Sequence, residues 1–242
     1  MKTLLTITLA ITFSVLNFTE GYAQFNKKIV GNGTVTTKTV TTSDYDVINV
    51  AGSMDVKLEK GTEGTIVVST DENLHKYLII ESENGTLTIK VKNQVTLKTK
   101  KGIKITVPFK DISKLSLSGS GDVLSKDVIN SNSFGVSLSG SGDINLDLVA
   151  NTIDAKLTGS GDLELSGKTQ YFEIKVSGSG EFKGSSLSSQ NTQVYISGSG
   201  DAKVNATKSL KARVNGSGDI RYSGNPEISD TKVMGSGSIK SI

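Results

Sequence analysis

A block of glycine, serine and glycine recurs seven times in the second half of the chain, followed by an acid in six copies and then by an apolar residue. Successive copies are 21, 19, 19, 20, 18 and 19 residues apart. Self-similarity at such a period, flanked by alternating apolar residues, predicts the stacked β-coils of a solenoid. The glycines of the seven copies are Gly119 and Gly121, Gly140 and Gly142, Gly159 and Gly161, Gly178 and Gly180, Gly198 and Gly200, Gly216 and Gly218, and Gly235 and Gly237.

The apolar residues around each block follow a period of two. In the second copy Val136 and Leu138 precede the block, and Ile144 and Leu146 follow it in the same phase as the two glycines. Alternate residues of a strand face opposite sides, so we expect the glycines to share the inner face and the serine and acid to point outward. Each block is interpreted as a structural corner between two strands. The predicted fold is all-β: a right-handed parallel β-helix of coils of about 19 residues, preceded by an irregular N-terminal β region.

The first half of the chain carries weaker copies of the same pattern. Gly52, Ser53, Met54 and Asp55 reproduce the block in phase, and Gly31-Asn32-Gly33 suggests another copy upstream. Between these copies and the regular array we predict four strands and a hairpin turn at Asn84-Gly85, a region that enlarges or caps the first coils. The predicted strands are 64–68, 78–80, 86–91 and 103–107, and the predicted domains are 24–108 and 109–242, with a boundary near Pro108.

Residues 1–23 read as a secretory signal peptide: Lys2 precedes an apolar run of about 15 residues, and small residues stand before Gln24. The run is too short for a membrane span, and no later segment resembles one. We therefore expect an exported protein of the periplasm, the outer membrane surface or the extracellular space. The chain has no cysteine and a net charge of +3, so disulfides are excluded and no polyanionic partner is predicted.

The outward acids form a column in the predicted stack, and cations stand beside them only in the later copies. Asp122, Asp143, Asp162 and Glu164 are thus the candidates for binding a ligand or an ion, calcium being the cation that favours clustered carboxylates. The interpretation that we favour is structural, with each aspartate accepting hydrogen bonds from turn amides. No metal or other cofactor is therefore predicted.

Enzymatic function is not expected. His75 is the only histidine and lies in an irregular stretch, so no general base is marked beside a serine. The alternative is a polysaccharide lyase or hydrolase that uses the clustered acids, but the blocks hardly vary from copy to copy where an active site should break the pattern. Nucleic acid is not expected as a partner, because the lysine-rich stretch 90–104 lacks interleaved aromatic residues.

The chain resembles the auto-transporter adhesin head GIN domain family, common among exported proteins of Bacteroidetes-type bacteria. The resemblance rests on the segments 45–50 and 52–56, the segment 84–89, and Val107-Pro108 before the first block. It covers nearly all of the mature chain and implies a β-helical exported domain without catalytic residues. A translocator barrel, which an autotransporter carries after its passenger, is not found in this sequence.

Taken together, these patterns predict an exported, non-catalytic binding or structural module of the cell envelope, with an adhesin-like role. The partner would be a glycan or another envelope protein; the alternatives are the polysaccharide-active enzyme and a calcium-stabilised envelope scaffold. Met234 replaces the Ser, Thr or Asn that precedes the glycine in the other copies, which suggests either a contact near the C-terminal end or a solitary exposed methionine. Lys232 and Lys240 are the kind of charge that blunts an exposed strand edge.

Overall fold

The computed structural model describes residues 26–242, so the predicted signal peptide lies outside the described residues. About 72% of this segment is β-strand, and one 3₁₀ helix, Glu72–Tyr77, joins two of the strands. The strands of the N-terminal region are β1 (Lys27–Val30), β2 (Val35–Thr41), β3 (Val47–Gly52), β4 (Asp55–Lys60), β5 (Thr65–Asp71), β6 (Leu78–Glu83), β7 (Thr86–Val91), β8 (Val95–Lys98) and β9 (Lys104–Phe109).

Between residues 114 and 242, ten strands form the regular array; five of them are 12 to 18 residues long, and Gly-Ser-Gly blocks separate these five from one another. The ten strands are β10 (Lys114–Gly119), β11 (Val123–Ser125), β12 (Ile129–Gly140), β13 (Ile144–Gly159), β14 (Leu163–Gly178), β15 (Glu181–Gly198), β16 (Asp201–Gly216), β17 (Asp219–Ser223), β18 (Ile228–Gly235) and β19 (Ser238–Ser241).

Equivalent residues of successive copies lie directly above one another in parallel pairs. Leu138 of β12 pairs with Leu157 of β13, and Leu157 pairs with Val176 of β14. Leu138 and Leu157 are buried, as are Leu117, Val176, Ile196 and Val214 of the same column. Because the strands are parallel and their apolar faces converge on one continuous core, the predicted parallel solenoid is confirmed.

The first copy belongs to the same stack, although it is separated from the regular array in sequence. β3 pairs in parallel with β10, and β4 with β11, which places Gly52 directly below Gly119. On their other side, β3 pairs with β7 and β4 with β9. The chain therefore inserts a further level beneath the first coil before it continues upward. Nine levels at about 4.8 Å make a stack of roughly 40 Å.

Antiparallel strands close the N-terminal end of the stack. β6 pairs with β7 across the turn at Asn84-Gly85, where both residues have positive φ, so the predicted hairpin is confirmed. β5 pairs antiparallel with β9 and with β2. The 3₁₀ helix joins β5 to β6 and buries Leu74 completely. The irregular region thus adds a level to the solenoid and covers its N-terminal end.

The interpretation of Gly31-Asn32-Gly33 as a coil of the stack is wrong. β1 instead forms a separate parallel pair with β8, and the glycine-rich turn wraps around the buried carboxylate of Asp71. The Gly33 and Lys100 amides donate to its two oxygens over 2.6 and 3.1 Å. Burial alone would raise the pKa of Asp71, but these amides, with the Thr99 hydroxyl and the Lys100 ammonium, hold it below its usual value.

Candidate functional site

The glycines of each block lie where consecutive coils are in closest contact. The Gly119 carbonyl accepts hydrogen bonds from the amides of Ser141 and Gly142 over 3.0 and 3.1 Å, and the pattern repeats up the stack. A Cβ atom at Gly140 would lie 2.2 Å from that carbonyl oxygen, and the φ of Gly140 is +133°. Both the space and the conformation therefore require glycine.

The outer side of the corner carries two columns of small polar residues, one on each side of the first glycine. All of them are exposed, and within residues 26–242 none of these side chains has a hydrogen-bond partner from the chain itself. We call this surface the corner face. Its members are Ser118, Ser139, Thr158, Ser177, Ser197 and Asn215 in one column, and Ser120, Ser141, Ser160, Ser179, Ser199, Ser217 and Ser236 in the other.

The acids form a third column beside the corner face. The Asp143 amide donates to Oδ1 of Asp122 over 3.1 Å, and the Asp162 amide to Oδ1 of Asp143 over 2.9 Å. Each carboxylate thereby satisfies a backbone donor of the next coil, a geometry that fits the structural interpretation. Asp55 lies directly below Asp122 and extends the column by one member. The copy of the block at Gly52 was the sequence signal for it.

Cations reach this column from the coil above. Nζ of Lys183 lies 2.6 Å from Oδ2 of Asp162, and Nζ of Lys203 lies 2.8 Å from Oε1 of Glu181. The hydrogen bond to Asp162 raises the pKa of Lys183. The copy that contains Asp162 has no cation beside this acid, so the sequence predicted that its charge is unpaired. Lys183 of the next copy supplies the cation instead. Glu164 is the register partner of Lys183 in the coil above, so a cation also lies beside this acid.

The top of the acid column ends on a serine. The amide and hydroxyl of Ser238 both donate to Oδ1 of Asp219, over 2.8 and 2.9 Å. These hydrogen bonds, with the nearby Lys240 and Arg221, lower the pKa of Asp219. Among residues 26–242, no group of three or more His, Cys, Asp and Glu side chains is arranged to hold a metal ion. The structural role of Asp122, Asp143, Asp162 and Glu164 stays a prediction, with calcium binding as the alternative hypothesis.

A concave surface, which we call the mouth groove, lies in the cap at the N-terminal end of the stack, between β2 and β6. This mouth groove has a volume of about 280 Å³ and an apolar wall that includes Val40, Leu78 and Ile80, with the exposed Lys38 and Lys76 beside them. His75 also lines it, and its Nε2 atom lies 3.0 Å from the hydroxyl of Thr36. Sequence reasoning missed the groove because its two walls come from strands that are distant in the chain.

Comparison with known proteins points to one family. The family model described as "Putative auto-transporter adhesin, head GIN domain" matches residues 44–226. No curated protein matches the chain. Along residues 26–242, no helix is long and apolar enough to span a membrane.

Solved structures of Bacteroidetes proteins are similar over most of the chain. A "putative lipid binding protein" from Parabacteroides distasonis is 32% identical with a TM-score of 0.73, covering 89% of this chain and 100% of its own. A "putative adhesin" from Bacteroides fragilis is 22% identical with a TM-score of 0.83, covering 88% and 100%. A "putative adhesin" from Parabacteroides distasonis is 25% identical with a TM-score of 0.72, covering 89% and 100%.

Proposed function

The chain belongs to the auto-transporter adhesin head GIN domain family, and from this membership we propose that it is an exported, non-catalytic binding module of the cell envelope. The observation that carries the proposal is the corner face. Two columns of exposed hydroxyl and amide groups run along the stack, with no partner from the chain in residues 26–242. A surface built of repeated hydrogen-bonding groups suits a ligand that is itself a repeated polar unit. The ligand class that we propose is a glycan polymer.

Repetition compensates for the weakness of each contact. One hydrogen bond to an exposed hydroxyl contributes on the order of 1 kcal/mol at most, which binds nothing alone. The same contact repeated on successive coils, about 4.8 Å apart, converts later contacts into intramolecular events. The parallel register holds equivalent serines in line, so the array is rigid before the ligand arrives. Little ordering entropy then opposes binding.

Removal of neighbouring hydroxyls from the corner face should weaken glycan binding. The triple variant Ser141→Ala, Ser160→Ala, Ser179→Ala loses three adjacent hydrogen-bonding groups and introduces no bulk. We expect about a tenfold or greater loss of affinity for any glycan that the unchanged protein binds on an array. The matched control replaces three exposed serines elsewhere, Ser133, Ser185 and Ser186, by alanine and should bind as before.

Two results would contradict this proposal. One is the absence of any glycan signal when the unchanged protein is presented at high density. The other is equal binding by the corner-face variant and its control. Release of reducing or unsaturated sugars by the purified protein would favour the polysaccharide-active enzyme instead. The contacts of His75 with Thr36 and the unbroken repetition of the corner support the non-catalytic proposal over that alternative.

A second candidate function, binding of an anionic amphiphile, is favoured by the mouth groove. Its apolar wall matches an acyl chain, and Lys38 and Lys76 match an anionic head group. The relative of 32% identity is described as lipid binding, which points the same way. We propose a fatty acid as the simplest ligand of this chemistry.

Charge reversal beside the mouth groove tests the second candidate. In titrations with a fluorescent fatty acid, the variant Lys38→Glu, Lys76→Glu should bind about tenfold more weakly, because the head group loses two attractive charges. The control Lys168→Glu, Lys208→Glu alters two exposed lysines on other strands and should leave the affinity unchanged. Saturable binding that is equal in both variants, or no binding by the unchanged protein, would exclude the groove as the site.

A further inference from the structure

The two ends of the stack differ. The N-terminal end is covered by antiparallel strands and the 3₁₀ helix, whereas within residues 26–242 no strand pairs with the upper edge of β18. Val233 is 38% exposed, although Val214, directly below it in the same column, is 1% exposed. Ile228 and Met234 on the outer side are 67% and 51% exposed. The last level thus presents an unpaired strand edge with three exposed apolar side chains, which can pair with another strand.

The direction of the unpaired backbone groups follows from the corner below. The Gly216 carbonyl points upward, because it accepts hydrogen bonds from the amides of Ser236 and Gly237. Gly235 occupies the equivalent position one level higher, so its carbonyl points toward the open edge. Backbone groups of alternate residues point the same way along a strand. Ser229, Thr231 and Val233 therefore direct their amides and carbonyls out of the stack.

The sequence of β18 is complementary to itself in one antiparallel register. When Thr231 stands opposite its own copy, Asp230 stands opposite Lys232 of the second chain, and Ile228 stands opposite Met234. The three residues with outward backbone groups then form the hydrogen-bonded pairs. Lys232 lies directly above Arg213 and has no carboxylate partner within residues 26–242, whereas Asp230 contacts the Arg213 guanidinium of its own chain and is 62% exposed at its side chain. In the paired arrangement, Asp230 of each chain lies opposite Lys232 of the other chain, so this ion pair forms twice.

We propose that β18 is a homodimer interface, in which two copies join end to end across a twofold axis at Thr231. The pairing continues the hydrogen-bonded sheet from one solenoid into the next. It also buries the apolar residues that the last level leaves exposed. A lysine on a strand edge prevents pairing only where no carboxylate lies opposite it. In this dimer, Asp230 of the second copy lies opposite Lys232. The exposed Met234 then has a specific role in the contact.

Analytical ultracentrifugation over a wide range of protein concentration tests the interface. The unchanged protein should pass from monomer to dimer, and Lys232→Glu should weaken dimerisation about tenfold or more, since two attractive pairs become repulsive. Lys168→Glu makes the same charge change on β14, away from the edge, and should dimerise as the unchanged protein does. A monomer at every concentration, or equal dimerisation by both variants, would overturn the proposal.

A cysteine probe gives a second, independent readout. The chain has no cysteine, so Thr231→Cys introduces a single thiol. Hydrogen-bonded antiparallel partners have Cα atoms about 5.5 Å apart, which a disulfide can span. We expect Thr231→Cys to form a covalent dimer under mild oxidation, and Thr207→Cys, exposed on β16, to stay largely monomeric. Equal crosslinking of the two variants would argue against the twofold axis at Thr231, whatever the oligomeric state.

Discussion

Replacement of Gly140 by alanine should lower the free energy of unfolding by about 3–5 kcal/mol. The new Cβ atom would lie 2.2 Å from the Gly119 carbonyl oxygen, which is fixed by two hydrogen bonds from the coil above. The φ of +133° adds backbone strain for any residue with a side chain. Relief would require the two coils to separate and would weaken the ladder on both sides of the corner.

Gly135→Ala is the matched control, because the same substitution is made in the same strand. A Cβ atom at Gly135 would find its nearest neighbour, Cγ of Lys114, at 3.6 Å, and Gly135 does not have a positive φ. We expect a change of at most about 0.5 kcal/mol. Urea unfolding followed by circular dichroism measures both variants. Equal stability of the two would mean that the corner does not require glycine.

Leu157→Ala should lower the free energy of unfolding by about 2–5 kcal/mol. Leu157 is fully buried in the middle of the stack, with Leu138 below it and Val176 above it in the same column. Truncation removes apolar burial and leaves a cavity, since the hydrogen-bonded ladders prevent the coils from closing around it. The loss should appear as a lower urea midpoint.

Leu124→Ala removes the same atoms from a leucine that is 48% exposed. Leu124 points outward from β11, above Lys57, so its truncation leaves no cavity. We expect a change within about 0.5 kcal/mol in the same urea experiment. A similar loss of stability in both leucine variants would contradict the orientation of the columns toward a common core.

Much of the fold follows from the sequence because the information repeats. The block spacing places Gly119 beneath Gly140, and the alternation around it buries Leu138 while it exposes Ser139 and Ser141; these predictions are confirmed. The strand prediction for 86–91 matches β7. In a parallel stack each residue meets its own equivalent one level away, so the register can be read from the period alone.

The candidate site was predicted only in part. The outward column of acids was expected, but the pairing of Lys183 with Asp162 was not, because it joins residues of different copies along a diagonal. Long side chains choose between neighbouring levels according to reach and charge, which a column alignment does not contain. The hydrogen bonds from the Gly33 and Lys100 amides to Asp71 were also not predicted, because these three residues come from distant segments of the chain.

The amino-acid sequence by itself determined the solenoid, its corner glycines and the face on which each residue of the array lies, since all three depend on local alternation and on contacts between like residues. Only the tertiary structure decided the order of the first levels, where β7 and β9 lie beneath β3 and β4 although they follow them in the chain. It also decided that, among the strands of residues 26–242, none pairs with the upper edge of β18, while the other end of the stack is capped. Both outcomes depend on pairing between segments outside the repeat. Strands that are far apart in the sequence can form backbone hydrogen bonds as readily as consecutive ones, so the order of the chain does not predict these pairs.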